Sequence, residues 1–145
     1  MQKEQIYEFL NSNPAFYLAT ADGDEPKVRA MFLYKADETG VWFHTGPFKE
    51  VHRQITQNPS AQLCFYDPAQ GLQLRVRGTL ELASTPELKR EVAAHPSRAF
   101  MQAWRARCAD EDEFYAMFDV FRLAGGIANV WTFATNFAPK EDIAL

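Results

Sequence analysis

Long apolar runs are missing from this 145-residue chain. No stretch approaches the roughly 20 residues that a membrane-spanning helix needs, so no membrane role is expected. The N-terminus has no apolar core flanked by basic residues, so no signal peptide is read there and the cytoplasm is the expected compartment. Cysteine is scarce: Cys64 and Cys108 lie far apart, form no CxxC or metal spacing, and read as reduced thiols. Basic charge is not in surplus. Fifteen Lys and Arg against nineteen Asp and Glu leave a net charge of −4, which argues against nucleic-acid binding and its need for a basic face. The three histidines, His44, His52 and His95, have no companion at ligand spacing, so no metal site is expected. The nucleophile-elbow, zinc-protease, P-loop and dinucleotide-binding signatures are all absent.

What is present is the composition of a soluble globular protein, 47% hydrophobic and 23% charged. The length predicts one domain over residues 1–145. Aromatics reach 14%, twelve of them Phe, which favours a β-rich core or a pocket that stacks on a planar ligand. A helix is predicted over Gln2 to Asn13, with Ile6, Phe9 and Leu10 at helical spacing and Asn13-Pro14 as the stop. AFYLATA (Ala15 to Ala21) and KVRAMFLYK (Lys27 to Lys35) read as a hairpin about the turn residues Asp22 to Pro26. AQLCFY (Ala61 to Tyr66) is a further strand. LQLRVRGTLELA (Leu72 to Ala83) is a long one, in which Gly78 suggests a bulge or sharp bend. Ser84-Thr85-Pro86 starts a capped helix that ends near His95-Pro96, followed by a helical region from Ser97 to Arg107 and an acidic helix start at Asp110 to Glu113. Phe118 to Leu123 and Ile127 to Phe133 flank Gly125-Gly126 as a hairpin, and Asn136 to Leu145 reads as a tail. Strands arriving as antiparallel neighbours predict a closed, mostly antiparallel barrel with helices outside.

One stretch organises the rest. Val41 to His44 is a strand that turns through Thr45-Gly46-Pro47 into a helix, with Thr45 or Gly46 as its cap, Pro47 at its first position and Lys49 within its first turn. A cation so early opposes the helix dipole unless an anion sits there too, which points to phosphate. Arg29, Arg53, Arg75 and Arg77 are further cations on strands or the helix, open to a bound phosphate or to cross-strand ion pairs. Cys64, in an apolar strand without a basic neighbour, reads as core.

The segments LATADGDEPKVRAMFLYK, VWFHTGPFKEVHRQITQNPSAQLCFY and LQLRVRG, in this order between Tyr17 and Leu82, resemble the pyridoxamine 5′-phosphate oxidase-like family of FMN-binding split barrels. The later portion looks like that of short, stand-alone members. The resemblance implies a mainly β fold, a split β-barrel of about six to seven mostly antiparallel strands with peripheral helices. It also implies a homodimer with FMN at the subunit interface and a small-molecule substrate. Carried over, Arg29, Ala30, Met31 and Phe32 line the flavin, with Arg29 towards the phosphate and ribityl chain. His44 and Thr45 end the next strand of the site, Lys49 contacts the phosphate, and Gln73 meets the ring from the partner subunit. Trp131 on the last strand is a candidate to stack near it. No catalytic residue is assigned.

Two departures bear on function. Full-length oxidases of the family carry a C-terminal Arg/His substrate-binding segment, where this sequence has KEDIAL, and their Ser-Arg-Lys cluster shrinks here to Lys49 and its neighbours. The expectation is therefore an FMN-dependent oxidoreductase moving electrons between a nicotinamide and a small organic or inorganic acceptor, rather than a true pyridoxamine 5′-phosphate oxidase. The alternatives are a non-catalytic FMN sensor or carrier, and a binder of haem or deazaflavin, with His44 or His52 available as a haem ligand.

Overall fold

The computed structural model describes residues 1–145. Its centre is a mostly apolar sheet in which every strand pair is antiparallel. β1 (Ala15–Asp22), β2 (Glu25–Phe32), β3 (Lys35–Asp37), β4 (Gly40–Thr45), β5 (Ser60–Asp67), β6 (Leu72–Leu82) and β7 (Asp119–Leu123) are ordered β2-β1-β5-β6-β7-β4-β3. β8 (Ile127–Thr132) pairs with β6, and β9 (Ile143–Ala144) pairs with β8. This is the split-barrel class expected, with β3 and β9 as short additions to the strands read from sequence. The alternation of the strands builds the interior: Phe16, Phe43, Phe65 and Phe121 meet there, Phe16 stacking on Phe65 with ring centroids 4.9 Å apart. Ile6, Phe9 and Leu10 of α1 (Lys3–Ser12) close one side of the same cluster.

β4 is buried on both faces. Val41 and Phe43 point into the barrel, while Trp42 packs outward with Val120 against α3 (Pro86–Ala94), α4 (Met101–Arg105) and α5 (Glu111–Tyr115), in a second cluster holding Val92, Met101, Phe114 and Phe118. The period of two then sends His44 to the helical side. α3 is capped as its sequence predicts, Thr85 accepting from the Leu88 N–H with Pro86 at the first position. α5 is capped in the same way by Asp110, which accepts from Glu113. Asp119 ties the helices to β7: its carboxylate accepts from His52 Nε2 at 2.8 Å and pairs with Lys89 at 3.4 Å. Burial pushes that carboxyl up, but bonds from His52 and Ser84 and the charge of Lys89 outweigh it and hold Asp119 below its ordinary range.

Four expectations are corrected. Pro47 is not in a helix: the Lys49 N–H bonds the Gly46 carbonyl at 3.1 Å, closing a β-turn with Pro47 at its second position, where its fixed φ fits. The helix α2 (Glu50–Gln57) begins after that turn, so Lys49 is its N-cap, in extended conformation (φ −86°, ψ 150°), rather than a residue of the first turn capped by Thr45 or Gly46. Gly125-Gly126 does not make a hairpin. β7 and β8 lie one after the other along the same edge of β6, β7 against Leu80–Leu82 and β8 against residues 72–77, and do not pair with each other. Gly126 lets the chain step between them; a Cβ there would lie 2.5 Å from Leu123 Cδ2 and 2.8 Å from Val76 Cγ1. Gly78 sits on β6 where its partner changes from β8 to β7, yet its register with β5 runs unbroken, so it marks a switch of partner and not a bulge. The C-terminal residues are also more than a tail: β9 is paired, Asp142 meets Arg77 at 2.7 Å, and the Leu145 N–H bonds the Gly126 carbonyl.

Candidate functional site

The end of β4, the turn into α2, the end of β2 and the helical segment after α3 enclose a cleft of about 450 Å³. Ala30, Met31 and Phe32 line it from β2, His44 and Thr45 from β4, and Gly46, Phe48 and Lys49 from the turn. Phe100, Trp104, Met117 and Phe118 supply the opposite wall. Six of the nine residues singled out from sequence thus share one cavity. Gly46 leaves room for the Phe48 ring: a Cβ would fall 2.8 Å from that ring, which would have to swing aside, and 3.3 Å from the Met117 carbonyl.

The electrostatics of the cleft are one-sided. It has no acidic lining residue, and its one lining cation, Lys49, takes part in none of the protein's ion pairs. Lys49 stands at the head of α2, where N–H groups of the first turn and the positive end of the dipole add to its charge. His44 is packed beside Phe118 and Phe100, with ring centroids 5.8 and 6.4 Å away. Its Nε2 is shut off from solvent with no hydrogen-bond partner. Burial, reinforced by the charges of Arg98 and Lys49, pulls the imidazole down from 6.5 to about 4, so it is neutral at pH 7.

The remaining sequence candidates lie elsewhere. Arg29 is not on the cleft surface: it turns under α2, where its Nη1 donates to Thr20 Oγ1 at 2.7 Å and to the Leu18 carbonyl at 3.2 Å, and its Nη2 donates to Gln54 Oε1. All three acceptors are neutral, so its charge is uncompensated, and burial lowers its pKa. Arg53 is engaged by Asp22 and Glu50. Gln73 and Trp131 are cross-strand partners that share a separate concavity of about 370 Å³ with Arg75, Asn136 and Lys140. There the Trp131 indole N–H donates to Asn136 Oδ1 at 2.8 Å.

Sequence reading placed a helical region over Ser97 to Arg107 but missed the wall formed by Phe100, Trp104, Met117 and Phe118. Its signal is the aromatic pair at i, i+4 (Phe100 and Trp104), whose rings meet edge-on at 5.4 Å. It also missed Arg98, which is fully buried behind that wall. Arg98 Nη2 donates to the Leu33 carbonyl at 2.7 Å. Its guanidinium lies 5.8, 5.4 and 5.8 Å from the ring centres of Phe32, Tyr34 and Phe100.

A family model described as pyridoxamine 5′-phosphate oxidase matches residues 2–124. Among curated relatives, a pyridoxine/pyridoxamine 5′-phosphate oxidase of Rhodopseudomonas palustris is 33% identical over 98 residues, which cover 67% of this chain and 46% of that protein. The chain therefore spans about half the length of the curated relatives it matches. Among solved structures, a NimC/NimA-family protein of Clostridium acetobutylicum superposes with a TM-score of 0.74 at 22% identity, covering 98% of this chain and 92% of the other. A pyridoxamine 5′-phosphate oxidase-related, FMN-binding protein of Nostoc punctiforme gives 0.65 at 19% identity, with 99% and 95% covered. At these identities the two structures establish the fold.

Proposed function

Because the chain belongs to the pyridoxamine 5′-phosphate oxidase family, we propose that its cleft holds FMN and that the protein works as an FMN-dependent oxidoreductase. The observation that carries this reading is the unpaired Lys49 at the head of α2, in the same cavity as Ala30, Met31, Phe32, His44 and Thr45. Together they offer a phosphate an ammonium group and free backbone donors, and a planar ring an apolar bed. Arg29, beneath the same helix, adds positive field without a carboxylate to cancel it. His44 lines the cleft as a neutral imidazole and so adds no charge to it.

FMN held by Lys49, the head of α2 and the Ala30–Phe32 segment would supply redox chemistry between a nicotinamide and a small organic or inorganic acceptor. The protein's share is binding, orientation and exclusion of water by the Phe32, Phe48, Phe100 and Phe118 walls. A dedicated acid or base is not needed for it. The proposal includes a homodimer in which the partner's Gln73 and the partner's Trp131 complete the site, since both lie away from the cleft of their own chain. The outer face of the sheet supports a second copy: Tyr17, Val28 and Tyr66 stand 58%, 69% and 47% exposed on it.

The test is spectroscopic. The purified protein is expected to show or take up a flavin spectrum, and Lys49→Ala to weaken FMN binding by about 1–3 kcal/mol through the lost charge-assisted bond. A protein that stays colourless with added FMN overturns the reading. Haem in place of FMN would show as a Soret band instead of a flavin spectrum. Bound flavin that neither NADH nor NADPH reduces anaerobically favours a sensor or carrier over an oxidoreductase.

A further inference from the structure

Resting on the flavin reading above, we propose that Arg98 sets the reduction potential of the bound flavin: its charge, buried behind the Phe32 and Phe100 rings, favours the reduced flavin with its negative charge. Arg98 ends the short 3₁₀ turn Pro96–Arg98 and is fully buried. It takes part in none of the protein's ion pairs. Its acceptors are the Leu33 carbonyl at 2.7 Å and the Ser97 carbonyl at 3.4 Å, and its Nε has none. Glu91, the acid that enters this neighbourhood, accepts from the Tyr34 hydroxyl at 3.1 Å instead. A guanidinium stays protonated even where burial lowers its pKa, as it does here. Two carbonyls and the faces of Phe32, Tyr34 and Phe100 return only part of the cost of desolvating it. An apolar side chain of that volume would serve the packing as well, so packing alone does not account for the charge.

Its place along the cleft gives the charge a role. The chain runs from Arg29, under α2, through the lining residues Ala30, Met31 and Phe32 to Leu33, whose carbonyl holds Arg98. Four residues of extended chain span about 13 Å. Two uncompensated arginines thus flank the segment that beds the flavin, Arg29 on the phosphate side and Arg98 on the ring side. No acidic residue lines the cleft to cancel the Arg98 charge, which reaches far enough to help keep His44 neutral. The guanidinium carbon sits 5.8 Å from the Phe32 and Phe100 ring centres, and a flat ring stacked on their cleft side adds about 3.5–4 Å. At the resulting separation of about 10 Å and an effective dielectric of about 20, one charge shifts an equilibrium that creates an opposite charge about ten- to twenty-fold. The flavin couple is such an equilibrium. Two electrons and one proton turn the neutral oxidised ring into a reduced ring with one negative charge, whereas a second proton leaves it neutral. A fixed cation favours the anionic product, so the bound flavin takes electrons more readily.

Reduction of the FMN-loaded protein by dithionite against a reference dye tests this. Arg98→Met, which keeps length and removes the charge, is expected to lower the midpoint by about 30–40 mV, the same ten- to twenty-fold for a two-electron couple. Arg98→Lys keeps the charge and should stay close to the parent, whereas a purely structural role would move both variants alike. A second readout needs no flavin: in an NMR titration of the flavin-free protein, His44 should rise from about 4 in Arg98→Met and hold in Arg98→Lys. The parent carries a test of its own, since ions cannot reach a fully buried charge. Its midpoint should lie above that of free FMN and stay there in about 1 M salt. The proposal is overturned if Arg98→Met and the parent share one midpoint, if the two variants shift equally, if His44 does not move in Arg98→Met, or if the parent's flavin lies at or below free FMN. The last outcome decides even where both variants fail to fold. A parent protein that takes up no FMN sinks the flavin reading and this one together. Normal FMN uptake with any of the four outcomes sinks this one alone.

Discussion

Acidification should destabilise this protein through one side chain, and His44→Gln should abolish that part of the loss. In the folded state the imidazole is held neutral down to about 4, because it is buried beside the Phe100 and Phe118 rings and faces two cations, Arg98 and Lys49. In the unfolded chain the same group titrates near 6.5. Between these values the unfolded state holds a proton that the folded state refuses, so stability is full above about pH 6.5, falls as pH drops, and levels off below about pH 4. The displacement corresponds to about 3 kcal/mol, and the solvent-facing edge of the ring trims this to about 2–3 kcal/mol. Urea unfolding from pH 7.5 to 4, run in parallel on the parent and on His44→Gln, isolates the term, since Asp119 and the other carboxylates are common to both. The difference between the two stabilities should narrow by that amount on acidification. Parallel profiles would refute the reasoning, as would an NMR titration placing the His44 ring near 6.5 in the folded protein.

Gly126→Ala should cost about 1–3 kcal/mol in urea unfolding, because its methyl group is driven into Leu123 and Val76 at the step between β7 and β8. A neutral outcome would mean that the step can shift. Thr85→Ala should remove the α3 cap and about 1 kcal/mol, and Thr85→Asn should restore most of it; equal stability of all three would show that the cap adds nothing. With FMN bound, Gln73→Ala should move the flavin absorption bands while leaving phosphate anchoring near normal. An unchanged spectrum would place Gln73 away from the ring.

The elements legible in the sequence were those whose signal is local. Ile6, Phe9 and Leu10 at helical spacing, the Thr85-Pro86 cap and the alternation through Leu74 and Val76 each carry their own physics, and each forms as read. What failed was chemistry that looks the same in two settings. Gly-Gly serves a tight hairpin and also a chain that must pass close to its neighbours, and here the packing of Leu123 and Val76 chose the second. Gly46-Pro47 is at home in a helix start and in a β-turn, and the Lys49-to-Gly46 hydrogen bond decided for the turn. Of the site, the half on β2, β4 and the turn was legible because it is contiguous in sequence. The Phe100–Trp104 wall was not, since the segment is a broken series of short turns without sustained periodicity. Arg98 ran against expectation outright: a fully buried arginine among aromatic rings has no pattern in one dimension.

β4 also sets a hazard during synthesis. One of its edges is satisfied at once by β3, its immediate predecessor, but the other waits for β7, with Phe43 meeting Phe121. That partner is made roughly 80 residues later, about 4 to 16 s at the usual pace of translation. Until then Val41, Trp42 and Phe43 stand beside an open row of backbone donors and acceptors, with neither of their two future apolar coverings complete. Such an edge is a template for the wrong strand. Slow translation or a crowded ribosome should therefore favour aggregation of nascent chains, and a trigger-type chaperone that binds short aromatic stretches should find its main foothold at residues 41–43.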